Sequence, residues 1–152
     1  MSQRKDQRAP TSVDLEAYNQ VLHLSEVTMR ICKVKEKNCN NHHVAKRYVP
    51  IANLAMESTI QMGALILDAN DLYVGSRADI DTRIRHYNKR IEMQEQALGL
   101  TYRLEHIIRI LHDANSFANS TLTDWISALV STRDSIKAWS NSDNRELRKL
   151  FG

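Results

Sequence analysis

Residues Val49–Val74 read VPIANLAMESTIQMGALILDANDLYV, and this stretch decides the fold. At about 100° per residue, Ile51, Leu54, Ala55, Ser58, Met62, Leu65, Ile66, Ala69, Leu72 and Tyr73 gather on one face. That is the wide apolar stripe of a helix packed on a core. A second row, Val49, Asn53, Met56, Ile60, Gly63 and Leu67, then Asn70 or Asp71, advances by alternating steps of four and three, as helix–helix seams do. One helix therefore carries two contact surfaces. The second surface takes another helix, either of the same chain or of another subunit, and Val49, Asn53, Met56, Ile60 and Leu67 are its candidate oligomer-interface residues.

Outward from this helix the chain has the same character. Its 152 residues suit one domain with a substantial core. Four glycines and two prolines leave little of the turn punctuation of a β protein. A first helix is expected from Val13 to Lys37, with Val13, Ala17, Val21, Leu24, Val27 or Thr28, and Ile31 inward and Leu15, Tyr18 and Leu22 on another side. The Asn-rich NCNNHH, Asn38 to His43, is a connection, and the second helix starts near Val44 or at Pro50. A third is expected from Arg77 or Ala78 to about His112, with Asp79 and Asp81 in its first turn. Its apolar residues before and after Gly99 sit about a third of a turn apart, so it either bends there or packs on two different neighbours. A fourth opens at Thr121, where Thr121 and Asp124 resemble a capping box, and runs to Trp139. The expected fold is all-α, an antiparallel up-down four-helix bundle of residues 13–139 that is oligomeric. A basic arm, 1–12, precedes it and a polar tail, 140–152, follows, either frayed or as a short helix that docks only on a partner.

The formal net charge is +3 and the isoelectric point is near 9.0, which permits a nucleic-acid partner without requiring one. The cations are clustered: Arg30, Lys33, Lys35, Lys37, Lys46 and Arg47 in one group, Arg83, Arg85, Lys89 and Arg90 in another, with Arg103 further along. Arg85, Lys89, Gln96 and Arg103 share one strip of the third helix, the best candidate for contact with phosphates. Arg133 falls inside the apolar arc of the fourth helix and is expected to lay its stem along the edge, a buried or intersubunit ion pair being the alternative.

Motifs for catalysis are absent from the sequence: no Gly-rich phosphate loop, GxSxG, HExxH or ExxH pair occurs. Cys32, Cys39, His42 and His43 carry the right atoms for zinc, but their spacing fits none of its usual ligand pairs. No enzyme, cofactor or metal is expected. No apolar run approaches the roughly 20 residues of a membrane span and the polar start lacks a signal peptide's apolar core, so the expected location is the cytoplasm.

The succession of motifs resembles a known family. A lead-in with Lys46, Arg47, Tyr48 and Pro50 comes first, then Ala69-Asn70-Asp71-Leu72-Tyr73 at the end of helix two and an Arg-rich start to helix three. Trp125 and then Trp139-Ser140-Asn141-Ser142-Asp143-Asn144-Arg145 follow in and after helix four. Over roughly residues 13–145 this order is similar to the small four helix bundle protein family. That family includes proteins encoded in 23S rRNA intervening sequences and the accessory variability determinant (Avd) proteins of diversity-generating retroelements. The resemblance to Avd implies a homopentamer of bundles that binds a reverse transcriptase and its structured template RNA, or DNA, through a basic surface. It implies support of mutagenic cDNA synthesis without chemistry of its own.

Overall fold

The computed structural model describes the backbone of residues 12–37, 43–114 and 117–152, and the side chains within them except those of 12–15, 33–37 and 43–46. The expected arm before Ser12, most of NCNNHH, and the side chains of Lys33, Lys35, Lys37 and Lys46 lie outside the described residues. Four helices make up the fold: α1 (Ser12–Lys37), α2 (His43–Asn70), α3 (Ile80–Asp113) and α4 (Asn119–Leu150). Among the described residues there is no strand.

Each helix packs on two others. α2 lies against α1 and α3, and α4 against α3 and α1, while among the described residues the backbones of α1 and α3, like those of α2 and α4, do not come together. The cross-section is therefore a square, with the α1/α2 and α3/α4 grooves on opposite sides. Between α3 and α4, Arg90 and Gln94 meet Asp143, Thr101 and Glu105 meet Arg133, and His112 meets Asn119. Between α1 and α4, Trp125 Nε1 donates to Thr28 Oγ1 at 2.9 Å and Thr132 Oγ1 to Gln20 O at 3.0 Å.

The core follows the apolar stripes. Ala17, Val21, Leu24, Val27 and Ile31 come from α1; Ala55, Met62, Ile66 and Ala69 from α2; Trp125, Leu129, Ile136 and Trp139 from α4. Leu54 departs from the expected inner face and is 40 % exposed. Gly63 faces α1 closely, since a Cβ there would lie 3.7 Å from Val21 Cγ1. α2 runs through Pro50, which removes one helical donor and is exposed.

α3 is one uninterrupted helix across Gly99. Its buried residues are Tyr87, Arg90, Gln94, Ala97, Thr101, Leu104, Ile107, Ile108 and Leu111, and apart from Ile107 they advance in steps of three and four along one stripe. The offset suggested by its apolar residues alone arises because Arg90, Gln94 and Thr101, all polar, occupy the stripe before Leu104. Its start is three residues later than Arg77. Asp79 takes an extended conformation and its Oδ1 accepts from Thr82 N at 2.7 Å, so this residue caps the helix instead of sitting in its first turn. Those bonds hold its carboxyl below the usual aspartate range, the Thr82 backbone N–H contributing most.

α4 departs from expectation at both ends. It begins at Asn119, with Ala118 as cap and no side-chain cap bond, so Thr121 is not the cap. Phe117, just before the cap, and Leu122, in the first turn, both pack on the core, the arrangement of a hydrophobic staple. The Phe117 ring stands 5.6 Å from both His112 and Trp125. At the other end the helix continues to Leu150, so residues 140–150 are helix and not a polar tail. Ser140 and Asp143 are buried there; polar contacts to α3, which apolar periodicity does not register, hold these turns in place.

Candidate nucleic-acid interface

The basic cluster opening α3 divides into two sets. α2 gives out just before Leu72, Tyr73 and Val74, whose carbonyls follow the negative end of its dipole. Three side chains of α3 cover them in turn. Arg90 Nη1 donates to Leu72 O at 3.5 Å, His86 Nδ1 to Tyr73 O, and Arg83 Nε to Val74 O at 3.1 Å. The Tyr73 hydroxyl in turn accepts from Arg77 N and Nε at 3.3 and 3.4 Å. That bond from the Arg77 side chain draws the phenol below its ordinary titration range. Gly75 leaves the room the phenol occupies, because any Cβ there would collide with it.

Arg90 goes further inward. Its side chain is 2 % exposed, and Nε and Nη2 hold Asp143 Oδ2 and Oδ1 at 2.9 and 3.1 Å. Gln94 Nε2 donates to the same carboxylate at 2.6 Å, and the guanidinium lies 5.4 Å from the Trp139 ring. The sequence expectation that Arg90 contacts phosphate is therefore corrected: a bidentately paired guanidinium whose side chain is buried is out of reach of a ligand at the surface. Arg83 is half-buried and committed to Val74.

Arg85, Lys89 and Arg103 are exposed, with no ion pair to the described residues. With Gln96 between them they advance by four, seven and seven, and from Arg85 to Arg103 the rise is about 27 Å. Arg30 is exposed too, but on α1, two residues before Cys32, whose Sγ points at Ala52 O of α2. Arg30 thus faces away from α2, on a helix whose described backbone does not meet that of α3. Arg47 is exposed near the start of α2. One α3 row is brought together, and Arg30 is separate from it.

The α2 seam is also only partly free. Met56 packs on the chain's own core and Gly63 approaches Val21, so α1 covers one edge of the row. Ile60 and Leu67 remain 69 % and 44 % exposed, Asn53 is exposed and Val49 half-buried. Leu22 and Met29 of α1, 44 % and 50 % exposed, border the same groove: Leu22 follows the α2-facing Val21, and Met29 precedes Cys32 by one turn.

Arg133 follows the ion-pair alternative: its side chain is 12 % exposed and pairs with Glu105 of the same chain. Its guanidinium stacks 4.0 Å from the Tyr102 ring, Nε donates to Thr101 Oγ1 at 3.1 Å, and Nη2 donates to Glu105 Oε1 at 2.7 Å. The Arg133 bond, with help from Arg109, holds the Glu105 carboxyl below the usual glutamate range. Sequence reasoning missed the roles of Arg83, His86, Gln94 and Asp143; the usable signal was polar residues recurring at core register in α3.

Among the described residues, no group of three or more His, Cys, Asp or Glu side chains gathers as a metal site would require. None of the helices is long and apolar enough, over the described residues, to cross a membrane. Comparison with models of protein families, with curated proteins and with solved structures returned no match to this chain.

Proposed function

We propose that this chain is a non-catalytic accessory protein, an up-down antiparallel bundle that self-assembles and carries nucleic acid on the outer edge of α3. The observation that carries the reading is the Arg85, Lys89, Arg103 row, exposed and in no close ion pair among the described residues, with Arg85 acting on the Asp79 carboxyl only through its charge. Cations so placed gain from neutralising phosphates and releasing counterions. The antiparallel direction is supported by the α3–α4 contacts, in which rising numbers on one helix meet falling numbers on the other. Self-assembly, through Val49, Asn53, Ile60 and Leu67 beside Leu22 and Met29, is supported by the apolar exposure of that groove, of a kind that marks interaction surfaces. With the likeness to the Avd proteins, the reading becomes specific. The chain joins a reverse transcriptase of a diversity-generating retroelement to its structured template RNA, as a homopentamer in the cytoplasm, supporting mutagenic cDNA synthesis.

Binding of a structured RNA and of single-stranded DNA, measured by fluorescence anisotropy over a salt series, tests this. Affinity should fall steeply as salt rises, and Arg85→Glu with Lys89→Glu should weaken binding to every sequence while flattening the salt slope by roughly 1 or more. Circular dichroism of that variant should be unchanged. Binding that is absent, or indifferent to salt, contradicts the reading. A protein-only scaffold is the second reading, favoured by the bare apolar grooves; it predicts that the charge-reversed variant keeps full activity.

A further inference from the structure

The Arg85, Lys89, Arg103 row ends beside an aromatic ring. Tyr102, the residue before Arg103, is 51 % exposed and leaves the helix about 100° round from it, on the side of α4. One face of its ring is taken, because the Arg133 guanidinium stands 4.0 Å from the centroid. That guanidinium is itself fixed, donating to Thr101 Oγ1, Thr101 O and Glu105 Oε1 at 3.1, 3.3 and 2.7 Å. The exposure of Tyr102 therefore lies on what Arg133 leaves uncovered, so the ring is braced from one side and open on the other. Packing does not call for an aromatic there: Thr101 and Glu105 already hold Arg133 to α3 by polar bonds.

Within two turns of Tyr102 on α3 the charged residues are Glu95, Arg103, Glu105 and Arg109, and within one turn of Arg133 on α4 they are Arg133, Asp134 and Lys137. Glu105 is bonded to both Arg109 and Arg133, and the exposed His106 lies between Tyr102 and Arg103 around the helix. The signs nearly balance here, so the local field does not select a ligand and the ring has to. A flat open ring at the end of a cationic row about 27 Å long suits a ligand with both π-faces and repeated negative charge. Single-stranded nucleic acid has both. We infer that Tyr102 is a stacking platform for an unpaired base of a strand, RNA or DNA, whose phosphates follow Arg103, Lys89 and Arg85. Every base has a π-face, so such a platform tolerates any sequence. A base inside a duplex is stacked on its neighbours, so only splayed or single-stranded nucleotides can use it. The inference rests on the nucleic-acid reading proposed above and adds the form of nucleic acid that this surface takes.

Fluorescence anisotropy of the full chain with three ligands of equal length tests it: a single-stranded oligonucleotide, the same backbone carrying abasic residues, and a duplex. All three offer phosphates, but only the first offers unpaired bases. Tyr102→Ala should lower affinity for the single strand by roughly 5- to 150-fold, with a much smaller change for the abasic strand and the duplex and an unaltered salt slope. Tyr102→Phe, which keeps the ring, should recover most of the loss. Equal losses on all three ligands, or no loss on any, overturn the platform. If Arg85→Glu with Lys89→Glu still weakens binding in that case, the basic row stands without it. If the unaltered protein binds none of the three, the nucleic-acid reading fails as well. Tyr102→Trp adds a direct readout, since Trp125 and Trp139 are buried and an indole at position 102 is the one a ligand reaches. Quenching by the single strand and not by the abasic strand supports stacking, and an indole indifferent to the single strand overturns it.

Discussion

Arg90 and Asp143, 53 residues apart, meet as a bidentate pair inside the bundle, with side chains 2 % and 6 % exposed. Gln94 completes the carboxylate's shell. Two charges out of water gain little over an apolar pair of the same volume, but either charge left alone is costly.

Arg90→Met should therefore destabilise the protein by roughly 3–5 kcal/mol, and Arg90→Met combined with Asp143→Leu should recover much of that loss. Chemical denaturation of the two single variants and the double variant forms the cycle. A double variant no more stable than the worse single one would contradict an ion pair whose halves depend on each other.

Ending the chain after Ser140 removes Asp143 and the last turns of α4. If these turns were a loose polar tail, the melting temperature would hold. With Arg90 stripped of its carboxylate in the interior, the truncated protein should instead lose stability on the scale of the broken pair, about 3 kcal/mol or more, and Arg90→Met in the truncated chain should restore part of it.

These two experiments bear on what the amino-acid order discloses. Four helices and most of their inward faces were legible, because Ala17, Val21, Leu24, Met62, Ile66, Leu129 and Ile136 keep helical period and are apolar. Boundaries shifted where polar chemistry set them: Asp79 as a cap, Asp143 as an anchor. Arg90 was misread for the same reason. A cation counts as surface until its partner is seen, and a partner on another helix leaves no mark on local periodicity. Arg85, Lys89 and Arg103 were legible as an exposed strip, since nothing at their spacing competes for them. The split of the α2 seam into a part covered by α1 and a part left bare depends on where Val21 of α1 lies beside Gly63, which a single helical wheel does not contain.

Glu105 offers a pH-dependent reading. Its carboxyl is held low chiefly by the bond from Arg133, so it contributes stability at pH values above the ordinary glutamate range, about 4.3. That contribution is lost as pH falls through the lowered folded value. Carboxyl NMR titration should place the Glu105 midpoint below the ordinary glutamate range, and Arg133→Met should raise it. The stability difference between the native chain and Glu105→Gln should shrink below pH 4. An unmoved midpoint in Arg133→Met would assign the lowering elsewhere.

Self-assembly is the claim on which the accessory role depends, and sedimentation equilibrium at micromolar concentration tests it most directly. The account predicts a species of several times 17.5 kDa, reduced to a lower mass by Leu22→Asp with Ile60→Asp. A well-behaved 17.5 kDa chain, with Leu22, Ile60 and Leu67 facing water, would contradict it.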